Sequence, residues 1–406
     1  MRDIRIKQTG FLYFIALGFY LTVQLLSSTL VSAMVDLTMV RLLCFFTVIG
    51  LLTVQLTIEL NRKYLWVYLL VLCLFAFVGL KVKYLRDLII LGYLTLEARN
   101  ISFRKIVKVN IVIVGFIVVI TIMLFYCGVF KSVDTSTFRE EGITRRLSLG
   151  FGWTTYVPNL FMSFVLGVLY LRPSRKYRWF LIVVLIFINY YLYKATNTKA
   201  VYYETFILLV LYIIVEQFHF DITKPKLFRA VLPLAFIVGA GLALWMSVKY
   251  DENNAIMSAI NRLTTSRLSL THKALELYPI RLFGNAIEWV TGVDLAQDTY
   301  FYVDSSYMLI IIQYGLLVFA YIVLLFTLIM RHFVYRKDNV ALVCLVIIAV
   351  HSITDPQLFN VVYTPYLLAL GLVLKNWKQT RQLKREIKSK NKEVLEIIQS
   401  LFQMNI

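Results

Sequence analysis

Residues 249–304 carry the densest set of side chains that could do chemistry. The central part, 261–275, has the spacing of one amphipathic helix, which places His272 about 140° around the helix from Arg267. A guanidinium group stays charged and can bind a phosphate or a carboxylate through two parallel hydrogen bonds. A neutral imidazole can take a proton from a hydroxyl near neutral pH. The segment therefore offers a group that binds anions and a candidate base.

Further candidates lie just beyond this helix. Pro279 ends it, Arg281 follows, Asp304 closes the segment, and Tyr307 stands at the start of the next predicted span. His351, four residues before an aspartate, is a second candidate base near the end of a later apolar run. For both histidines a structural role is an equal alternative, and each arginine could instead pair with a nearby acidic residue.

Arg145 and Arg146 form a second polar group, immediately before a glycine-containing apolar run and Pro158-Asn159. A pair of arginines at the edge of an apolar run is well placed to contact an anion at a membrane surface. The alternative is a plain anchor at the membrane interface.

The composition indicates the class of protein whose fold must position these residues. The chain has 406 residues, of which 60% are apolar and 16% charged, with a net charge of +19 and a mean hydropathy of +0.74. These values exclude a soluble enzyme, a disordered chain and a disulfide-rich module, and they argue against a nucleic-acid partner. The four cysteines stand singly in apolar runs, and no His/Cys spacing predicts a metal site.

Apolar runs of membrane-spanning length recur along the chain and predict an all-α polytopic membrane protein. The spans are predicted near 11–33, 39–58, 64–80, 84–98, 107–127, 153–171, 179–193, 200–218, 230–248, 305–329, 339–354 and 358–374. Residues 1–374 form one transmembrane domain with two long outer loops, 128–152 and 249–304. The remaining segment, 375–406, is a basic tail with an amphipathic end that either lies on anionic lipid, meets a partner or only fixes topology.

The basic residues orient these twelve spans. Lys and Arg concentrate at the N-terminus, in every second connection and in the tail, so both termini are predicted to be cytoplasmic. Almost the whole net charge then lies on the cytoplasmic side. Because ionisable residues inside the spans are few, an ion-driven transporter is disfavoured. The sequence has no nucleotide-binding or hydrolase motif, so an active site must be assembled from outer loops and helix ends.

The order of the polar pieces resembles that of the Wzy-type polysaccharide polymerases. The pieces are Arg145 with Gly150-Phe151 and Pro158-Asn159, the turn 196–199, Arg267 with Phe283-Gly284, Asp304 to Tyr307 with Gln313 to Leu316, and His351 to Pro356. The related lipopolysaccharide ligases share this architecture and often carry a histidine in the second loop, which keeps that alternative open through His272. A lipid-linked oligosaccharide flippase or transporter is the third alternative.

The resemblance implies a GT-C-type glycosyltransferase in the bacterial plasma membrane, acting without a metal or other cofactor. It would transfer a growing glycan from undecaprenyl diphosphate to a lipid-linked repeat unit, with a chain-length regulator and a flippase as partners. The implied substrate contacts are Arg267, Arg145, Arg146, Arg281, Lys199 and Tyr307. The implied base is His272 or His351, and the residues that would orient or replace it are Asp304 and Asp355.

Overall fold

The computed structural model describes residues 2–59, 65–130, 135–139, 142–291 and 300–373, with the backbone alone for 2–9, 59, 135–139 and 142–145. The predicted tail, 375–406, lies outside the described residues. The helices are α1 Arg2–Ser28, α2 Val31–Met34, α3 Thr38–Glu59, α4 Leu65–Lys81, α5 Leu85–Glu97, α6 Phe103–Tyr126, α7 Tyr156–Leu171, α8 Arg178–Thr196, α9 Lys199–Gln217, α10 Lys226–Val231, α11 Ala235–Val248, α12 Ala255–Leu263, α13 Arg267–Leu277, α14 Ser306–Leu309, α15 Gly315–Arg336 and α16 Asn339–Thr354.

The fold is that of a polytopic membrane protein. Within the described residues, seven helical segments are long and apolar enough to cross a membrane: Gly10–Ser28, Thr38–Ile58, Phe103–Tyr126, Arg178–Thr196, Lys199–Gln217, Lys226–Val248 and Ser306–Arg336. Three shorter apolar helices, α4, α7 and α16, coincide with three more predicted spans. Long apolar runs become helices here because a helix satisfies its own backbone groups away from water.

Two of the twelve predicted spans differ. The span at 84–98 is α5, whose 13 residues extend only about 20 Å, short of a hydrocarbon core about 30 Å thick. The helix predicted at 358–374 is wrong for residues 358–369, which form turns and a short 3-10 helix at Pro365–Leu368. The side chain of Asn110 reaches two carbonyl oxygens of this segment, Val361 and Val362, at 3.4 and 3.2 Å. Irregular backbone is tolerated here because it is buried in protein and partly satisfied by side chains. The count of twelve stays a prediction.

One β-hairpin departs from the predicted all-α class. Strands β1 (Thr135–Arg139) and β2 (Gly142–Arg146) pair antiparallel, with Ser136 opposite Arg145. The hairpin falls inside the predicted loop 128–152. Its threonine, phenylalanine and isoleucine residues favour strands, but so short a run has no periodicity that separates it from a loop.

The helix that begins at Ser306 is interrupted before α15, and a loop fills the interruption. Residues 310–314 form a π-type turn, and Gly315 has a positive φ of 87°. The amides of Leu316 and Leu317 donate to the carbonyls of Arg281 and Leu282, while Asn285 Nδ2 donates to the Ile312 carbonyl at 2.8 Å. The loop that follows α13 is therefore hydrogen-bonded to an opened helix.

We expect Gly315→Ala to destabilise this junction by about 2 kcal/mol. A Cβ on Gly315 would lie 2.3 Å from the Gly284 amide nitrogen, and the positive φ adds backbone strain. The measurement is thermal unfolding of the purified variant, with Gly50→Ala as the control because a Cβ there meets nothing within 4 Å. Equal unfolding temperatures for the two variants would contradict the close backbone contact.

Candidate functional site

Arg267, the first residue of α13, meets two aspartates from distant parts of the chain. Its Nε lies 3.5 Å from Asp304 Oδ2, and its Nη1 lies 4.0 Å from Asp355 Oδ2. The same Nη1 donates to the carbonyl of Thr354. The side chain is 23% exposed, so this guanidinium is held mostly inside the protein.

Asp355 contacts residues from several elements of the site. Its side chain is buried, and Oδ2 accepts a hydrogen bond of 3.0 Å from Asn159 Nδ2 on α7. Its Oδ1 lies 3.6 Å from His351 Nε2, one turn earlier on α16. Its backbone carbonyl accepts from both the amide and the hydroxyl of Ser306, at 3.2 and 2.5 Å. Asp355 thus joins the end of α16 to the starts of α7 and α14.

Glu204, on α9, completes the arrangement. Its Oε2 lies 2.6 Å from His351 Nδ1, so the imidazole is placed between two carboxylates. We call Arg267, Asp304, His351, Asp355 and Glu204 the charged cluster. The sequence analysis missed Glu204. A signal existed, since Glu204 is an acidic residue inside a predicted span, and such residues are rare and usually functional.

The electrostatics of Asp304 and Arg267 follow from burial and mutual contact. Burial raises the pKa of Asp304 above its ordinary value, and Asp355 raises it further, while Arg267 and a hydrogen bond from Tyr300 act in the opposite direction. Burial alone would lower the pKa of Arg267, but Asp304 and Asp355 outweigh it and raise that pKa. Arg267 therefore remains charged, and Asp304 takes up a proton more readily than an exposed aspartate.

The backbone between α12 and α13 determines where the side chain of Arg267 lies. Thr265 and Ser266 have φ values of 54° and 63°, which end α12 and restart the chain as α13. The single helix predicted at 261–275 is therefore wrong, because two helices separated by the three residues 264–266 replace it. The break makes Arg267 the first helical residue of α13 and lets it reach across to Thr354 and both aspartates.

Several buried polar atoms in the described part of the site make no hydrogen bond, although His351 Nε2 and Asp355 Oδ1 lie 3.6 Å apart. Among the described residues, Asn159 Oδ1, His351 Nε2 and Asp355 Oδ1 have no hydrogen-bond partner. Asn159 and His351 also line a small cavity together with Ser352, Gln357 and Thr364. Unpaired polar atoms are costly to bury, so their grouping marks a site with hydrogen-bonding capacity for a ligand or a proton.

Aromatic rings border the cluster. The ring of Tyr300 lies parallel to that of Trp153, with centroids 6.2 Å apart and an interplanar angle of 11°. Tyr300 is close enough to Asp304, and Tyr156 and Tyr363 are close enough to Asp355, for the carboxylate charges to act on them. Aromatic side chains thus flank the two aspartates of the charged cluster.

The structure brings four predicted residues into the cluster and places the others elsewhere. Arg267, Asp304, His351 and Asp355 come together, as described above. His272 instead faces α11, with Nδ1 2.8 Å from the Ser247 carbonyl and Nε2 3.5 Å from Glu276.

Two further predicted residues contribute to packing in this structure. Tyr307 is buried and donates to the Ala349 carbonyl at 2.9 Å. The side chain of Arg281 is exposed, while its backbone carbonyl accepts from Leu316 at the helix interruption.

Arg146 and Lys199, two more of the predicted substrate contacts, lie at the turn between α8 and α9. Arg146 Nε donates to the Thr196 carbonyl at 2.8 Å, and its Nη2 donates to Thr198 Oγ1 at 3.4 Å. Lys199 is the first residue of α9 at this same turn. For Arg145 only the backbone is described, so its predicted contact stays a prediction.

A search of the described residues for groups of three or more His, Cys, Asp or Glu that could hold a metal ion finds none. The expectation of a reaction without a metal or cofactor remains a prediction. No protein-family model, curated protein or solved structure matches this chain.

Proposed function

We propose that this protein is a Wzy-type polysaccharide polymerase of the bacterial plasma membrane, a glycosyltransferase with a GT-C-like arrangement of twelve spans. The single observation that supports it is the charged cluster. Arg267, Asp304, His351 and Asp355 belong to parts of the resemblance that are far apart in the sequence, and their side chains meet at one site. With both termini cytoplasmic, this site faces outward, where lipid-linked repeat units are polymerised.

In the proposed reaction, a sugar hydroxyl of the incoming repeat unit attacks the anomeric carbon of the growing glycan. The bond from that carbon to the diphosphate oxygen breaks, and undecaprenyl diphosphate leaves with the electron pair. Arg267 stabilises the charge that develops on the leaving group, because a fixed guanidinium in a poorly hydrated site acts strongly on developing charge. Its contacts of 3.5 and 4.0 Å to the two aspartates are long for ion pairs, so it can exchange carboxylate for phosphate oxygens.

Asp304 is the proposed acceptor of the hydroxyl proton. It lies beside Arg267, and its raised pKa suits a general base better than that of an exposed aspartate. Glu204 and His351 act indirectly, by positioning the side chain of Asp355. Arg145, Arg146, Arg281 and Lys199 remain candidate contacts for the lipid-linked substrate, with membrane lipid, a chain-length regulator and a flippase as further partners.

A lipid-linked oligosaccharide flippase or transporter is the second candidate function. Two observations favour it: the helix interruption at Gly315, and the mostly buried series of Glu204 on α9, His351 on α16 and Asp355 directly after α16. Interrupted helices and buried ionisable series are common at transport sites. This series weakens the argument against a transporter, which was that ionisable residues inside the predicted spans are few.

Deletion of the gene in its source strain distinguishes these functions. Loss of a polymerase should leave single repeat units exported and attached to the cell surface. Loss of a flippase should leave no glycan outside, and loss of a ligase should leave long chains that remain unattached. Glycan length by gel and surface labelling measure all three, and single attached repeats are the result that supports the proposal.

The pH dependence of transfer should identify Asp304 as the base. A base works only when deprotonated, so activity is lost as the pH falls through its pKa, which burial raises above the ordinary value. Tyr300→Phe removes a hydrogen bond that lowers this pKa, so the acid limb of the pH profile should move to higher pH. Initial rates in membrane vesicles with labelled lipid-linked repeat units measure it. A limb that stays in place or moves to lower pH would contradict the assignment.

A further inference from the structure

We infer that the rings of Trp153 and Tyr300 form a stacking subsite for one pyranose unit of an oligosaccharide, next to the carboxylate of Asp304. The inference rests on the proposed function and names how the same site holds its glycan. The two rings are parallel within 11°, with centroids 6.2 Å apart. Rings offset in this way overlap only in part, so each keeps ring surface available for a ligand.

Trp153 differs from tryptophans that face lipid. Trp66, Trp179 and Trp245 are 77%, 49% and 55% exposed, as expected for side chains on the outer surface of a membrane bundle. Trp153 is only partly exposed, and its ring faces Tyr300 beside the charged cluster. Its position therefore favours a role within the site over anchoring at the membrane interface.

The chemistry around these rings matches both the C–H face and the hydroxyl rim of a sugar. A pyranose has a C–H face, which packs on an aromatic ring through dispersion and loss of apolar surface to water. Its rim carries hydroxyls, which donate to carboxylates, and an ionised carboxylate can only accept. Tyr300 lies four residues before Asp304 and close enough to interact with its carboxylate, so a sugar on that ring has the Asp304 carboxylate nearby. An acyl chain would use the rings alone and leave the Asp304 carboxylate without a donor.

Saturation-transfer NMR on the purified full chain in nanodiscs tests this subsite directly. The probe is the single repeat-unit oligosaccharide of the source strain, released from its lipid by mild acid. Irradiating the aromatic resonances should transfer saturation mainly to the ring C–H protons of one sugar. Trp153→Ala and Tyr300→Ala should each weaken binding about tenfold, whereas Trp245→Ala, a lipid-facing control, should leave it unchanged.

Conservative variants separate loss of the ring from loss of the fold. Trp153→Phe and Tyr300→Phe keep an aromatic face and should bind within about threefold of the unmodified protein. Inorganic diphosphate should not remove the sugar signals, because it has no C–H face that packs on the rings and would bind at Arg267 instead. Absence of transfer to the sugar, or unchanged affinity in folded Trp153→Ala and Tyr300→Ala, would overturn the inference.

The two proposals fail in different ways. If the oligosaccharide binds through Trp153 but Arg267→Ala leaves glycan length unchanged, the subsite stands and the transferase proposal falls. If Arg267→Ala abolishes long glycans while both alanine variants of the subsite bind normally, the transferase stands and the subsite falls.

Discussion

Arg267→Ala should eliminate nearly all long glycan chains in cells, with a loss of transfer rate of at least about 100-fold. The residue joins Asp304 and Asp355 from the first turn of α13, and it is the only arginine among the five residues of the charged cluster. Without it, the leaving diphosphate has no fixed positive partner in the cluster. The measurement is glycan length by gel in a deletion strain that expresses the variant, with protein level verified by immunoblot.

Arg267→Lys should not restore activity, although it keeps the charge. A lysine ammonium is a point charge and cannot contact two carboxylates and a carbonyl through one rigid fork. Arg262→Ala is the matched control, because Arg262 is an exposed arginine of the same loop, on α12, and its removal should leave chain length unchanged. Long chains in Arg267→Ala cells would reject the assigned role, and short chains in both variants would indicate a general effect on the loop.

The membrane spans were predictable because the bilayer imposes a length and a composition that hydropathy detects. Residues 358–369 show the limit of that argument. They are apolar enough for a span, but Pro365 cannot donate a helical hydrogen bond, and Asn110 and Ser163 supply partners for their carbonyls. Side chains from two other helices thus supply hydrogen bonds to irregular backbone, and hydropathy contains no information about such partners.

The helix break before Arg267 was hidden for a different reason. Periodicity over 261–275 supports one helix, yet Thr264 donates to the carbonyls of Ile260 and Asn261, and the Ser266 amide donates to Asn261 as well. Hydroxyl side chains that bond to nearby backbone compete with helix continuation. The run Thr264-Thr265-Ser266 is the local signal of this break, because it places three such side chains in succession.

Within the site, residue types were easier to predict than partners. Arg267, Asp304, His351 and Asp355 were selected as chemically capable groups and proved to be neighbours. Glu204 was missed because its partner, His351, lies 147 residues further along the chain. Its acidic type inside an apolar run was visible, whereas the pairing required the contact between α9 and α16. His272 shows the converse. Its residue type and its loop suit a catalytic base, but its side chain faces α11.

Asp355→Ala should be the most destabilising change in the site, lowering the free energy of unfolding by about 3 kcal/mol and abolishing long glycans. The buried carboxylate contacts Arg267, His351 and Asn159, and its removal leaves those polar groups without their partner. Asp355→Asn should retain the contact with Asn159 and most of the stability, but lose the negative charge that balances Arg267. Thermal unfolding in detergent and glycan length measure the two effects separately.

Asp338→Ala provides the matched control because Asp338 lies at the other end of α16. Asp338 pairs with Arg172 at 2.8 Å and caps the helix through the Ala341 amide, but its side chain is 29% exposed, against 5% for Asp355. Loss of a cap and a partly exposed ion pair should cost only about 1 kcal/mol and leave glycan length intact. If the two alanine variants unfold at the same temperature, the buried contacts of Asp355 do not stabilise the fold. If Asp355→Asn makes normal glycans, the negative charge at Asp355 is not required for transfer.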